Sequence, residues 1–199
     1  MTLKVQAQVV DIRNDTPKQQ DRFLIDTNIW LYLYYNRAST PGSSYQDYTY
    51  TSYITKAKYA RSSLFYCGLS LAEIAHVVEQ REWDADLPEL ELKDYRHNYP
   101  AQRDKVVRKV KSIWNSVKRT GRSADILINK DTTQAALTKL QTQLLDGYDL
   151  FIVEAMNKAG VDQIITNDRD FVTVPNIVVF TANGGAIKAA RSQGQLVVR

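Results

Sequence analysis

The chain has 199 residues, 44% hydrophobic and 24% charged, which is ordinary for a globular protein of one domain, with or without insertions, that buries a full core. Its single cysteine, Cys67, excludes an internal disulfide and a Cys-based zinc site, and no segment is long and apolar enough to span a membrane. The formal charge of +4, with a pI near 9.0, favours an anionic partner such as nucleic acid, although many basic proteins bind none.

Residues 3 to 13 alternate apolar and polar side chains and predict a short strand with one buried face, without the unbroken apolar core of a signal peptide. The expected compartment is reducing and cytoplasmic. A polar linker, Asn14 to Gln20, follows. Phe23-Leu24-Ile25 then reads as a buried strand ending in Asp26-Thr27-Asn28, with Thr27 as the cap of a mostly buried helix from about Asn28 to Tyr35.

Asn36 to Ser44 is turn-forming. Tyr45 to Ser63 is rich in tyrosine with Lys56, Lys58 and Arg61 interleaved, and is predicted to be helical from Tyr53 onward. Two readings stand here: stacking on single-stranded bases, or a helix packing its rings on the domain. Leu64 to Cys67 is a second strand. Ser70 is expected to cap the next helix in a capping box with Glu73, while Leu71, Ile74, Ala75, Val77 and Val78 supply an apolar face. Asp84 to Pro100 reads as irregular.

Ala101 to Thr120 predicts an amphipathic helix with Val106, Val110, Ile113 and Val117 on one stripe, ended by Gly121. Arg103, Lys105, Arg108, Lys109 and Lys111 make its other faces cationic. They are the candidates for contact with a phosphate backbone, against the plain alternative of a solvated face. Ala124 to Ile128 reads as a strand, with Asp131 or Thr132 capping the helix after it. Asp146-Gly147 breaks that helix, and a nearly all-buried one runs from about Tyr148 to Ala159, ended by Gly160. Strands at Ile164 to Thr166 and Ile177 to Phe180 follow, then a loop at Asn183-Gly184-Gly185. Leu196 to Val198 is placed to pair with the N-terminal strand. Strands alternating with helices predict a three-layer α/β/α sandwich with a mostly parallel central sheet.

In such a sheet, ligands sit outside the carboxyl ends of the strands. Asp26 and Asp168 end strands; Glu73 and Asp149 begin helices. All four acids can therefore face one crevice. A carboxylate at Asp149, amid Leu150, Phe151, Ile152 and Val153, needs a partner, because a helix N-terminus contributes only ~0.3–1 kcal/mol against burial. Repulsion among acids is relieved by protonation or a cation, and hard oxygen donors without His or Cys select Mg2+ or Mn2+. An acidic pocket on a basic protein fits metal-assisted phosphodiester hydrolysis.

Phe23 to Asn28, Ser70 to Glu73, Asp146 to Asp149 with Ala155, and Ile165 to Phe171 resemble, in order, the successive motifs of PIN-domain ribonucleases, over about residues 22 to 182. The resemblance implies a PIN-like α/β/α fold that cleaves RNA at an Mg2+ or Mn2+ site. It implies Asp26, Glu73, Asp149 and Asp168 as the metal-site and catalytic acids, with Asn28 and Thr166 as polar neighbours. Asp170 and Asp146 are placed either as supporting acids or as turn caps. Compact relatives include VapC-type toxin nucleases, so an antitoxin or other regulatory protein and a homodimer are expected as partners, and a membrane is not. Residues 1–21 read as an extension, 36–62 and 80–120 as insertions and 183–199 as a tail, all departures from the compact members. Two other readings stand beside the ribonuclease. One is a phosphoryl-transfer enzyme of the haloacid-dehalogenase type, which would want an Asp where Asn28 stands. The other is a catalytically silent RNA-binding or protein-interaction PIN domain. His76 and His97 are assigned no catalytic role.

Overall fold

Seven short strands form one all-parallel sheet among the residues described by the computed structural model, 3–35 and 44–199. They are β1 (Gln8–Asp11), β2 (Arg22–Ile25), β3 (Ser63–Cys67), β4 (Arg122–Ala124), β5 (Gln163–Ile165), β6 (Val178–Thr181) and β7 (Leu196–Val197), in the spatial order β4-β3-β2-β5-β6-β1-β7. The registers Phe23↔Gln163 and Phe23↔Leu64 place β2 between β5 and β3. β1 lies between β6 and β7, with Val9 opposite both Val179 and Leu196, so the pairing expected of 196–198 with the N-terminal strand is made.

Successive strand residues point to opposite faces, and both faces are apolar, as a sheet covered on two sides requires. Val10, Phe23, Ile25, Ile165 and Phe180 point to one layer, formed by α1 (Thr27–Tyr34), α2 (Ser44–Tyr59), α3 (Ser70–Asp86), α4 (Leu92–Asn98) and α5 (Pro100–Thr120). Val9, Leu24, Ile164 and Val179 point to the other, formed by α6 (Lys130–Leu140), α7 (Gly147–Ala159) and α8 (Gly184–Ser192), with a 3-10 turn at Asp170–Thr173. Each fully buried large side chain, Trp30 or Phe23 for example, contributes ~1.5–3 kcal/mol relative to exposure. The three-layer α/β/α architecture is therefore present, and its sheet is parallel throughout.

Several local expectations are corrected. The strand expected over 3–13 is confined to Gln8–Asp11, and the one expected over 124–128 lies at Arg122–Ala124. Asp26, not Thr27, caps α1: its carboxylate accepts the Thr27 N–H. The Ser70/Glu73 capping box is not made. The N-cap is Leu69, with no side-chain bond, and the Ser70 hydroxyl instead accepts one from Thr27 Oγ1 at 3.0 Å. Asn129, rather than Asp131 or Thr132, caps α6, in a reciprocal box with Thr132. The stretch 84–100 is largely helical, because α3 continues to Asp86 and α4 starts at Leu92. α2 begins at Ser44, nine residues before the expected start at Tyr53. The turn expected over 36–43 lies outside the described residues. Asn183-Gly184-Gly185 opens a helix, with the Asn183 side chain accepting from Gly185 and Ala186 N–H. Gly160 does end α7 in the left-handed conformation, φ 60°. Gly121 ends α5 with ordinary extended backbone; there a side chain would crowd the Leu64 carbonyl oxygen, 3.3 Å from where a Cβ would stand.

Candidate active site

From β2 the chain moves outward to β3 and β4 on one side, and later returns through β5 and β6 on the other. The switch point is the β2/β5 pair, where an open parallel sheet leaves a crevice at its carboxyl edge. Asp26 follows β2 and Thr166 to Asp168 follow β5. Glu73 sits in the first turn of α3, which follows β3, and Asp149 in the first turn of α7, which leads into β5.

Asp26 is 2% exposed, yet both of its oxygens are engaged. Oδ1 accepts the Thr27 N–H at 2.6 Å; Oδ2 accepts the Thr166 hydroxyl at 2.6 Å and the Asn28 amide at 2.6 Å. The polar neighbours expected at 28 and 166 are therefore bonded to the first acid. Thr166 Oγ1 also accepts the Asp168 N–H at 2.8 Å, which ties the second strand-end acid to the same node. Asp168 Oδ1 in turn accepts the Asp170 N–H at 2.8 Å, so Asp168 braces its own turn. The Thr27 hydroxyl is within bonding reach of the Glu73 carboxylate, but Glu73 Oε2 is buried with no hydrogen-bond partner.

The electrostatics follow from burial of several like charges. Burial raises Asp149 to about 9, with repulsion from Asp26, Asp146, Asp168 and Glu73 adding to it. Burial also raises Asp26 to about 7; the Thr166 hydroxyl and Thr27 N–H pull it down while Glu73 and Asp168 push it up. Glu73 is raised by burial and by Asp146 and Asp168, against the pull of Thr27 and His76. Asp170 is raised by burial and by Asp168. Asp146 is exposed and caps α7, its Oδ1 accepting the N–H groups of Tyr148 and Asp149, so its first role is the turn.

Among the described residues, no three or more His, Cys, Asp or Glu side chains form a ready-made metal-holding group. The four acids feel one another's charge without meeting. Two observations nonetheless fit a hard divalent cation: donors that are all carboxylate oxygens at a mutually repelling site, and a buried Glu73 oxygen with nothing to bond.

Much of the cationic face of α5 is paired with acids of α3. Arg103 pairs with Glu79 at 2.9 Å, Lys105 with Glu82 and Asp86, and Lys109 with Glu82 at 2.6 Å. Arg108 pairs with Asp104 on the surface. Fully buried Glu82 is the hub of this set, held at about 2: burial opposes its ionisation, and bonds from Lys109, Tyr35 and Lys105 overcome it. The acids of α3 were the missing half of the pattern, since a helix read alone does not disclose what its neighbour neutralises. Lys111 and Lys118 enter no ion pair among the described residues. They flank a cleft of about 380 Å3 floored by Leu71, Val107, Val110 and Trp114.

Three residues around the site were not assigned to it from sequence. Asn183 donates to the Asn167 carbonyl at 2.8 Å, Tyr32 accepts from the Asn167 amide at 3.1 Å, and Tyr50 bonds the same turn. In the tyrosine-rich segment, Tyr50 and Tyr53 are buried against the domain, whereas Tyr48 and Tyr59 are exposed.

Fold and site together define a doubly wound α/β protein whose switch point brings mutually repelling acids to the carboxyl edge of its sheet. The family model of the PIN domain matches residues 23–177, and the chain belongs to that family. PIN domains are generally nucleases and usually use divalent metal ions. Comparison with curated proteins and with solved structures gave no significant match.

Proposed function

We propose that this protein is an Mg2+- or Mn2+-dependent endoribonuclease whose metal-site acids are Asp26, Glu73, Asp149 and Asp168. The observation that carries the reading is the gathering of these four acids at the carboxyl edge of one parallel sheet, where burial and repulsion by Asp26, Asp146, Asp168 and Glu73 make Asp149 hard to ionise. Buried acids so perturbed, at the ligand-binding edge of a parallel sheet, are those expected to do chemistry.

The four acids would hold one or two ions, which when bound supply polarisation of the scissile phosphate and a water of lowered pKa. The chain's own contribution is preorganisation. Thr27 N–H, Asn28 and Thr166 engage both oxygens of Asp26 and orient its carboxylate. The Thr27–Ser70 bond joins the start of α1 to the start of α3, setting Asp26 relative to Glu73. Thr166 couples Asp168 to Asp26. His76 and His97 are exposed and are assigned no catalytic role. Phosphate contacts beyond the acids fall to Lys111 and Lys118, two α5 cations in no ion pair among the described residues.

A partner-regulated role, including that of a toxin held by an antitoxin or a homodimer, has its own supporting observation. Leu127, Ile128, Leu137, Leu140, Leu144 and Tyr148, on α6 and the segments flanking it, are all exposed. Exposed apolar side chains, where they adjoin in one patch, mark interaction surfaces.

Purified protein incubated with single-stranded RNA, DNA or a small phosphate ester, in Mg2+, Mn2+ or chelator, tests the proposal. Metal-dependent cutting of RNA alone supports it. Hydrolysis of the ester alone would move the protein to phosphoryl transfer, and RNA binding without cutting would make it a silent domain.

A further inference from the structure

α2 lies in the segment that reads as an insertion, yet one of its side chains reaches the acidic pocket from behind. Tyr50 is fully buried. Its hydroxyl accepts the Ala182 N–H at 2.9 Å and lies 3.0 Å from Thr181 Oγ1, 3.0 Å from Asn167 Oδ1 and 3.1 Å from the Thr166 carbonyl. Its one proton serves the Thr166–Asn167 side, while its oxygen receives from the 181–182 side. The phenol thus clamps the end of β5 to the end of β6. Its ring stacks on Tyr32 at 5.9 Å, and Tyr32 takes the other end of Asn167. Asn183 closes the bracket onto the Asn167 carbonyl.

The residues on the acceptor side of the clamp, Thr166 and Asn167, belong to the turn that presents the site. Thr166 puts its hydroxyl on Asp26, and Asn167 leads directly into Asp168. A phenylalanine would fill the same space, so packing alone does not call for the hydroxyl. Tyr53, one turn along α2, shows what a structural tyrosine there looks like: its ring packs on Phe23, its hydroxyl donates to Asp15, and neither touches the turn.

We propose that Tyr50 is a positioning residue for the divalent-cation site, holding the 166–168 turn so that Asp26 and Asp168 can accept one cation together. The inference rests on the metal-site reading above. Partners that orient metal ligands without touching the metal alter affinity by about 10–100-fold when removed.

The test is Mn2+ titration by calorimetry of wild type, Tyr50→Phe and Tyr53→Phe, with a thermal melt of each. Both variants lose one buried hydroxyl, so both should lose some stability. Only Tyr50→Phe should weaken Mn2+ binding, by about tenfold, while Tyr53→Phe stays within about twofold of wild type. Asn167→Ala, which cuts the same clamp from the other side, should match Tyr50→Phe and serves if that variant does not fold. Wild-type Mn2+ affinity in both clamp variants, or an equal loss in Tyr53→Phe, overturns the positioning role and leaves the metal site standing. No Mn2+ binding by folded wild type removes the metal site itself, and this role with it.

Discussion

Replacing Asp149 by an asparagine should make the metal-free protein more stable while destroying its activity. In the fold, burial and neighbouring carboxylates raise Asp149 to about 9, so it carries a proton at pH 7; in the unfolded chain it ionises at its ordinary value of 3.8. Each pH unit between 3.8 and 7 withholds about 1.4 kcal/mol from the folded state, giving as much as about 4 kcal/mol at pH 7. The acids titrate together and the pocket can relax, so about 2 kcal/mol is the working figure. The sign is set by the raised value: this stability is present below about pH 4 and is lost as pH rises toward 9. The amide side chain of the variant does not titrate, so in chelator the variant should melt about 4–8 °C above wild type at pH 7, and the two should converge near pH 4. Mn2+ should then raise the melting temperature of wild type and leave the variant nearly unmoved. A variant no more stable than wild type at pH 7, or a gain that persists unchanged at pH 4, would refute the account of Asp149 as a buried, repelled acid.

Other parts of the structure carry their own tests. Arg199 binds Asp15 and Asp21, both buried, and lies over Phe180 at 4.5 Å; Arg199→Ala should cost about 3 kcal/mol in a denaturant melt by stranding those acids. Glu82 is held low, so its contribution is present above its ordinary value of 4.5 and is lost as pH falls toward 2; Glu82→Gln should cost about 3 kcal/mol at pH 7 and little near pH 2. In RNA binding by the inactive Asp149→Asn protein, Lys111→Ala and Lys118→Ala should each weaken affinity and lower the salt slope by about 1. Arg103→Ala should chiefly lower stability, and an RNA defect without a stability loss would contradict its commitment to Glu79.

The sheet was legible because its strands are short apolar runs, Phe23 to Ile25 and Ile164 to Ile165, each followed at once by site chemistry. Asp26 and Asp168 follow those runs, whereas Glu73 and Asp149 open helices. What sequence did not disclose were relations between distant segments. Ser-x-x-Glu at 70–73 has the form of a capping box, but Thr27 takes the serine and the pocket takes the glutamate. The lysines of α5 look available until Glu79, Glu82 and Asp86 of α3 are set against them. Tyr50 sits among other tyrosines in sequence with nothing local to mark it, since its partners lie more than a hundred residues away. Asn183 carried a local signal, an Asn before two glycines, that suits an N-cap as well as a turn.

The measurement that bears most directly on the central claim is cleavage of a mixed single-stranded RNA pool by wild type beside Asp149→Asn, in Mn2+ and in chelator. The account predicts cutting by wild type in Mn2+ only, and none by a variant that is folded and, without metal, the more stable of the two. Equal cutting by both proteins, or cutting by wild type in chelator, would contradict it.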